Sequence, residues 1–262
     1  MLRKLSEGEK RTIAHWVMEF VVVVMGVLIA LWLQERAAQA GHKADARASE
    51  AAIRDEIDEN LMGLVISEAV DVCLRDRLRE IDQALQSPGR VKPILTPTIW
   101  DSPAEDFVSE QQQYAIYSTI AGDMVDSAWR SANASGAVSA FDPERFRTMA
   151  NLYSDFGFRE KMRDADREAI AKLQILAYDV PLTPDTRARL IESLTILSRN
   201  WAFVHSPTTD ARPQAVAGVI MELGWNDKER IDRRIRAIEA SVKAAKLNIK
   251  PCVRPLKNPF DD

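Results

Sequence analysis

The feature that most constrains this chain is the apolar run from Ile13 to Leu33, 21 residues interrupted only by His15 and Glu19. At about 1.5 Å rise per residue, such a helix covers roughly the ~30 Å hydrocarbon core of a bilayer. A soluble core helix seldom needs a stretch so long. Trp16 and Trp32 stand at its two ends, where indole rings prefer the membrane interface. Arg3, Lys4, Lys10 and Arg11 precede it, offset only in part by Glu7 and Glu9. The positive-inside tendency assigns residues 1–12 to the cytoplasm and residues 13–34 to an inner-membrane helix. Residues 35–262 are then expected outside, in a periplasm if the source is a Gram-negative bacterium. A cleaved signal peptide is the rival, because Ala38-Gln39-Ala40 ahead of Gly41 looks like a signal-peptidase site. Against it stand the length of the run and the charges of Glu35 and Arg36 beside the cleavage region.

Three residues of the run bear on partners. Glu19 is ionisable inside a span, which marks either a pathway or a side chain reaching the nearby headgroups. Gly26 and Ala30 form a small-xxx-small pair that lets two helices approach closely. They point to a homo-oligomer through the membrane helix, with the long helix that follows as a second self-association surface.

Glu19, six residues, Gly26 and then Val27-Leu28-Ile29-Ala30-Leu31 resembles the opening helix of a group of bacterial membrane-anchored helical proteins. Their pattern is roughly E-x6-G-[IV]-L-I-A-L, followed by a long polar helix. Trp129, five residues, then Ser135-Gly136 is similar to a later segment of the same group. After Leu31 the chain departs from it, with Trp32-Leu33-Gln34-Glu35-Arg36 in place of an Asn-rich continuation. The resemblance implies an anchor and a helical domain, and it brings no activity and no catalytic residue.

Beyond the anchor the pattern is helical. Glycine is scarce and Ala, Leu, Ile, Glu and Arg are plentiful, which favours helix over sheet. From Ala44 to Gln86 there is no proline and only Gly63. Ile53, Ile57, Leu61 and Leu64 recur at helix spacing, as do Leu74, Leu78, Ile81 and Leu85. The spacing predicts one long helix over 44–86, into which the membrane helix runs without a breaker. Residues 87–105, with Pro93, Pro97 and Pro103, read as a loop. A bundle over 106–247 follows. Its first part, Asp106 to Gly136, is one or two helices. The next helix is capped by Asp142 with Pro143 behind it. That helix carries Phe146, Met149, Tyr153 and Phe156, then Met162, Ala165, Ala169, Leu173 and Leu176, with Gly157 as a bend. Thr183-Pro184 opens another, with Leu190, Leu194, Leu197, Trp201 and Val204 on its face. A short helix spans Ala215 to Leu223. The last is capped by Asn226 with Glu229 and bears Ile231, Ile235, Ile238, Val242 and Ala245. Pro251, Pro255 and Pro259 make 248–262 an extended tail. The expectation is an all-α fold: a single N-terminal transmembrane helix followed by a long helix and an irregular helical bundle, about six helices beyond the anchor with the long one included.

Chemistry is sparse. The sequence has no H-E-x-x-H, G-x-S-x-G, phosphate loop or G-x-G-x-x-G, so no catalytic residue, metal ligand or cofactor is assigned. A formal charge of -4 and the lack of a basic footprint argue against nucleic acid. Asp123 and Asp126 are spaced for acid–base or metal chemistry, or for the first turn of a helix, where the dipole favours them. His205 reads as structural or solvated. The mixed charges from Arg159 to Glu168 read as a solvated face. Arg230, Arg233, Arg234, Arg236, Lys243 and Lys246 do too, with anionic lipid or an acidic partner as their second reading. Two cysteines are too few for a disulfide scaffold or a zinc site. In an oxidising compartment a Cys73–Cys252 bond would tie the tail to the first long helix. Otherwise Cys73 is a small buried apolar residue. The expected function is a membrane-anchored binding, scaffold or accessory protein acting through an unidentified protein partner. The alternative is a membrane-anchored hydrolase-like enzyme with a site dispersed over Asp123, Asp126 and His205.

Overall fold

The apolar run and the first half of the polar stretch behind it form one continuous helix, α1 (Glu7–Ala69), of 63 residues. Nothing from Glu35 to Ala40 breaks it, as its lack of Gly and Pro requires. In this computed structural model the described residues are 7–94, 100–101, 123–179, 181–206, 212–225, 227–245 and 248–261. They form an all-α fold, continuing through α2 (Asp71–Gln86), α3 (Ser127–Ser135), α4 (Pro143–Leu173), α5 (Pro184–Val204), α6 (Pro213–Glu222) and α7 (Lys228–Ala244). A two-residue antiparallel bridge, β1 (Trp100–Asp101) with β2 (Asn248–Ile249), fastens the tail to the loop after α2.

The α1 helix changes character along its length. It contains the one described helix long and apolar enough to cross a membrane, and none of that helix's most apolar window is buried by the rest of the chain. Every large apolar side chain named from Met18 to Leu33 faces outward. Burial begins at Ala46 and is complete at Ile53, Ile57 and Leu61.

The single helix expected over 44–86 is two helices. Val70, at φ -101° and ψ 2°, turns the chain between α1 and α2. The break falls where the apolar series shifts register between Leu64 and Leu74, so each half faces a different core. The first core joins Ile53, Ile57, Leu61 and Leu64 of α1 to Met149, Tyr153 and Phe156 of α4, Ile220 of α6 and Ile231 of α7. The second joins Leu74, Leu78, Ile81 and Leu85 of α2 to Ala169 and Leu173 of α4 and Leu190, Leu194 and Leu197 of α5. The α4 helix belongs to both, and it runs unbroken through Gly157, where a bend was expected.

Local chemistry sets the helix ends. Asp142 accepts from the Glu144 and Arg145 N–H groups at 2.9 and 3.2 Å, with Pro143 in the first turn. Thr183 accepts from Thr186 N–H at 3.1 Å, ahead of Pro184. Gly136, at φ 76°, takes the left-handed conformation that ends α3. Asn226, read as the last cap, lies outside the described residues, as do residues 102–105 of the predicted loop and 106–122 of the first bundle segment. The N-cap position of α7 is Asp227, whose side chain makes no capping bond. It pairs instead with Arg54 of α1, whose Nε lies 2.8 Å away.

Three sequence readings are corrected in α4 and α7. Ala165 is exposed, because the inward face of α4 rotates as the helix leaves the first core for the second. Arg159, assigned to a solvated face, is buried at 7% exposure. The α7 stripe weakens after Ile235: Ile238 is half-buried against the first core, Val242 is half-buried and Ala245 is exposed.

Candidate ligand cavity at the helix break

The acids singled out in the sequence are not the ones that organise the interior. Asp126 occupies the N-cap position of α3 without a capping bond and pairs with Arg130 at 2.9 Å. Asp123 precedes the helix and pairs with Arg163 at 2.8 Å and with Arg167. The α3 N-terminus is capped from α1. Glu56 Oε2 accepts from Ala128 N–H at 2.7 Å and from the Ser127 hydroxyl at 2.9 Å. Its Oε1 accepts from Trp129 N–H at 3.2 Å and from the Tyr153 hydroxyl at 2.6 Å. Burial, and then this bond to the Glu56 carboxylate, drive the Tyr153 hydroxyl far above its ordinary range. Trp129 stacks on Tyr153 at 4.9 Å. The signal for Glu56 was an acid set between Ile53 and Ile57 on the apolar stripe.

A second buried carboxylate, Asp58, meets Arg230 of α7 at 3.0 Å. Burial, and then the Asp227 charge, raise it to about 6. Arg230 also reaches Asp55 at 2.7 Å, so part of the arginine face of α7 is spent on α1.

The cavity with the most functional chemistry lies beside the α1–α2 break. It has a volume of about 160 Å³. Ser67, Glu68 and Asp71 come from the break, Arg159 from α4, His205 from the end of α5, Arg212 from the start of α6 and Arg254 from the tail. The tail is held there at three points. Cys252 is joined to Cys73 with Cα atoms 5.2 Å apart. Arg254 N–H donates to Ala69 C=O at 2.8 Å. The Arg254 guanidinium lies 3.5 Å from Asp71. Farther along, the buried Asn258 donates to Lys228 C=O at 3.0 Å and to Asp232 at 2.7 Å.

Burial pushes His205 down to about 4; Arg159 and Arg254 push it the same way, and Asp71 opposes them. It is therefore neutral at pH 7. Burial lowers Arg159 to about 10, opposed by Asp155, so it stays a cation. Arg212 stands 3.8 Å from Glu68, which also accepts from Gln214 at 3.3 Å. Asp71 Oδ1 is buried and receives no hydrogen bond.

Asp123 lines a separate, larger opening of about 380 Å³ between α1 and α7. His205 and Asp123 thus face different cavities. Among the described residues no group of three His, Cys, Asp or Glu side chains could hold a metal ion. Glu19, Gly26 and Ala30 lie on the outward-facing part of α1, and a Cβ at Gly26 would meet no atom within 4 Å. Sequence reasoning named His205 and the cysteines but missed Arg159, Arg212 and Arg254. Comparison with family models, curated proteins and solved structures finds no match for this chain.

Proposed function

We propose that this chain is a single-pass inner-membrane protein whose helical domain works in the periplasm by binding a protein partner, as a scaffold or accessory subunit. The observation that carries the proposal is the division of α1. One uninterrupted helix has an apolar stretch that the chain leaves uncovered, from Met18 to Leu33, and a core stretch that it buries from Ile53 onward. Uncovered apolar surface on that scale is stable in lipid and costly in water. The basic residues ahead of Ile13 support a cytoplasmic N-terminus. The Cys73–Cys252 bond supports an oxidising compartment for the domain. Gly26 and Ala30 offer a close-approach face for a second copy.

The test is membrane fractionation with a C-terminal topology reporter, followed by crosslinking in intact membranes. Extraction only by detergent, a periplasmic reporter signal and a discrete crosslinked species, with itself or another protein, are the expected results. A chain recovered with no crosslinked partner would contradict the binding role. A cytoplasmic reporter signal would contradict the orientation.

A further inference from the structure

We propose that mild acid tightens the seating of α7 on α1, with the Asp58 carboxyl as the group that takes up the proton. This inference rests on the interface between those two helices and stands apart from the membrane and partner readings.

The place of Asp58 comes first. It is 0% exposed and sits where α1 meets α7, next to Ile57 of the first core. A carboxylate so placed keeps its charge only where donors replace the lost water. Arg230 Nε faces its Oδ2 at 3.0 Å, and Oδ1 accepts no hydrogen bond. The same guanidinium reaches Asp55 at 2.7 Å, so one cation serves two acids. Glu56, two residues earlier, is the contrast, with four donors on its two oxygens.

The other charges nearby leave Asp58 with little further relief. On α1, Arg54 is turned to Asp227, with Nε at 2.8 Å and Nη2 on the second oxygen. Asp227, in the N-cap position of α7, is itself buried and adds a second negative charge beside Asp58. On α7, Arg234 acts on Asp58 by its charge, without forming an ion pair among the described residues. Glu59, the next residue of α1, is exposed. The tail brings Asp261, which pairs with Lys228, and Asn258, which bonds Asp232 at 2.7 Å. Burial, and then the Asp227 charge, lift the Asp58 carboxyl to about 6, against the pull of Arg230, Arg54 and Arg234.

Linkage gives the sign. With α7 seated, Asp58 takes its proton near 6; with α7 lifted and water restored, it does so near the ordinary 3.8. The seated form therefore binds more protons between those values, and acid favours it. The constant for lifting α7 should rise about tenfold from pH 5 to pH 7 through this one group. Lifting α7 withdraws Ile231 and Ile235 from the core they share with Ile53, Ile57 and Leu61. Single elements open in this way below the threshold of global unfolding. Neutral pH thus loosens the cover of the first core, and mild acid fastens it.

The test is hydrogen exchange on the full chain in detergent, with its disulfide intact, at pH 5, 6 and 7, corrected for the intrinsic pH dependence of amide exchange. The parent should show the tenfold rise in α7 opening. D58N, neutral and of the same shape, should stay within about threefold over that range. E59Q, which neutralises the exposed acid next to it, should follow the parent. Asp166, which bonds Asn200, and His205 also titrate in or near this range, but they belong to the α4–α5 side and are common to all three chains. The pH profile of α5 should therefore be the same in D58N as in the parent. An opening constant for α7 that is flat or falls with pH in the parent would overturn the proposal, whether or not D58N folds. A D58N chain that keeps the parent's rise would overturn it too, as would an α5 profile that changes together with that of α7.

Discussion

Glu56 gathers four donors on one buried carboxylate, two of them N–H groups of a helix about seventy residues away in sequence. Charge-assisted bonds of this kind are each worth about 1.5–3 kcal/mol, and they are not additive. E56Q turns one acceptor into a donor facing donors. We expect it to cost about 2–4 kcal/mol in urea unfolding; a loss under about 0.5 kcal/mol would contradict the assigned role. Local sequence placed Asp123 and Asp126 at the start of this helix, where Asp126 does hold the N-cap position, and missed Glu56, because a capping acid need not be a neighbour in the chain. His205 gives a pH signature. Its folded-state value of about 4 lies below the ordinary 6.5 of histidine. The unfolded chain therefore takes up the proton first, and this group's contribution to stability falls as pH drops from about 6.5 toward 4. Asp58 and Asp166, raised mainly by burial to about 6, act with the opposite sign, since the folded chain protonates them first. In parallel unfolding series, H205Q should gain on the parent by roughly 2 kcal/mol between pH 7 and 4.5. A constant difference across that range would contradict the buried neutral imidazole.

Among the elements, the α1–α2 break and the tail depend on each other. Val70 redirects the chain from the first core to the second, and the tail follows, with Val253 against the second core and Leu256 and Phe260 against the first. The disulfide closes a loop of 179 residues. Replacing both cysteines with serine should cost about 2–5 kcal/mol. Hydrogen exchange should show protection lost first over 252–261, and a tail that stays protected would contradict the tether's role. The helices themselves were legible, since Ile53-Ile57-Leu61-Leu64 and Leu74-Leu78-Ile81-Leu85 keep their spacing whatever they pack against. The break was not, because a one-residue turn leaves both stripes intact and shows only as a register shift. The inward turn of Arg159 was hidden as well, because α4 serves two cores and the charged run lies where its buried face rotates.

At the scale of the molecule, α1 joins an uncovered apolar rod to a domain that begins to bury side chains at Ala46. Every described residue of the buried core lies at Ala46 or beyond, outside residues 1–41. A chain lacking residues 1–41 should leave the membrane fraction and keep its melting temperature within about 5 °C. The uncovered apolar helix was readable from hydropathy alone, whereas the cavity was not, because its lining runs from Leu64 to Arg254 over separate segments that only folding brings together. The central claim is a membrane-held domain in an oxidising compartment, with its tail locked to the break in the first helices. Thiol labelling of the membrane-bound protein with a large maleimide, after denaturation and with or without prior reduction, tests it most directly. The account predicts that Cys73 and Cys252 label only after reduction and that the unreduced chain runs as a monomer. Free labelling of both without reductant would contradict it.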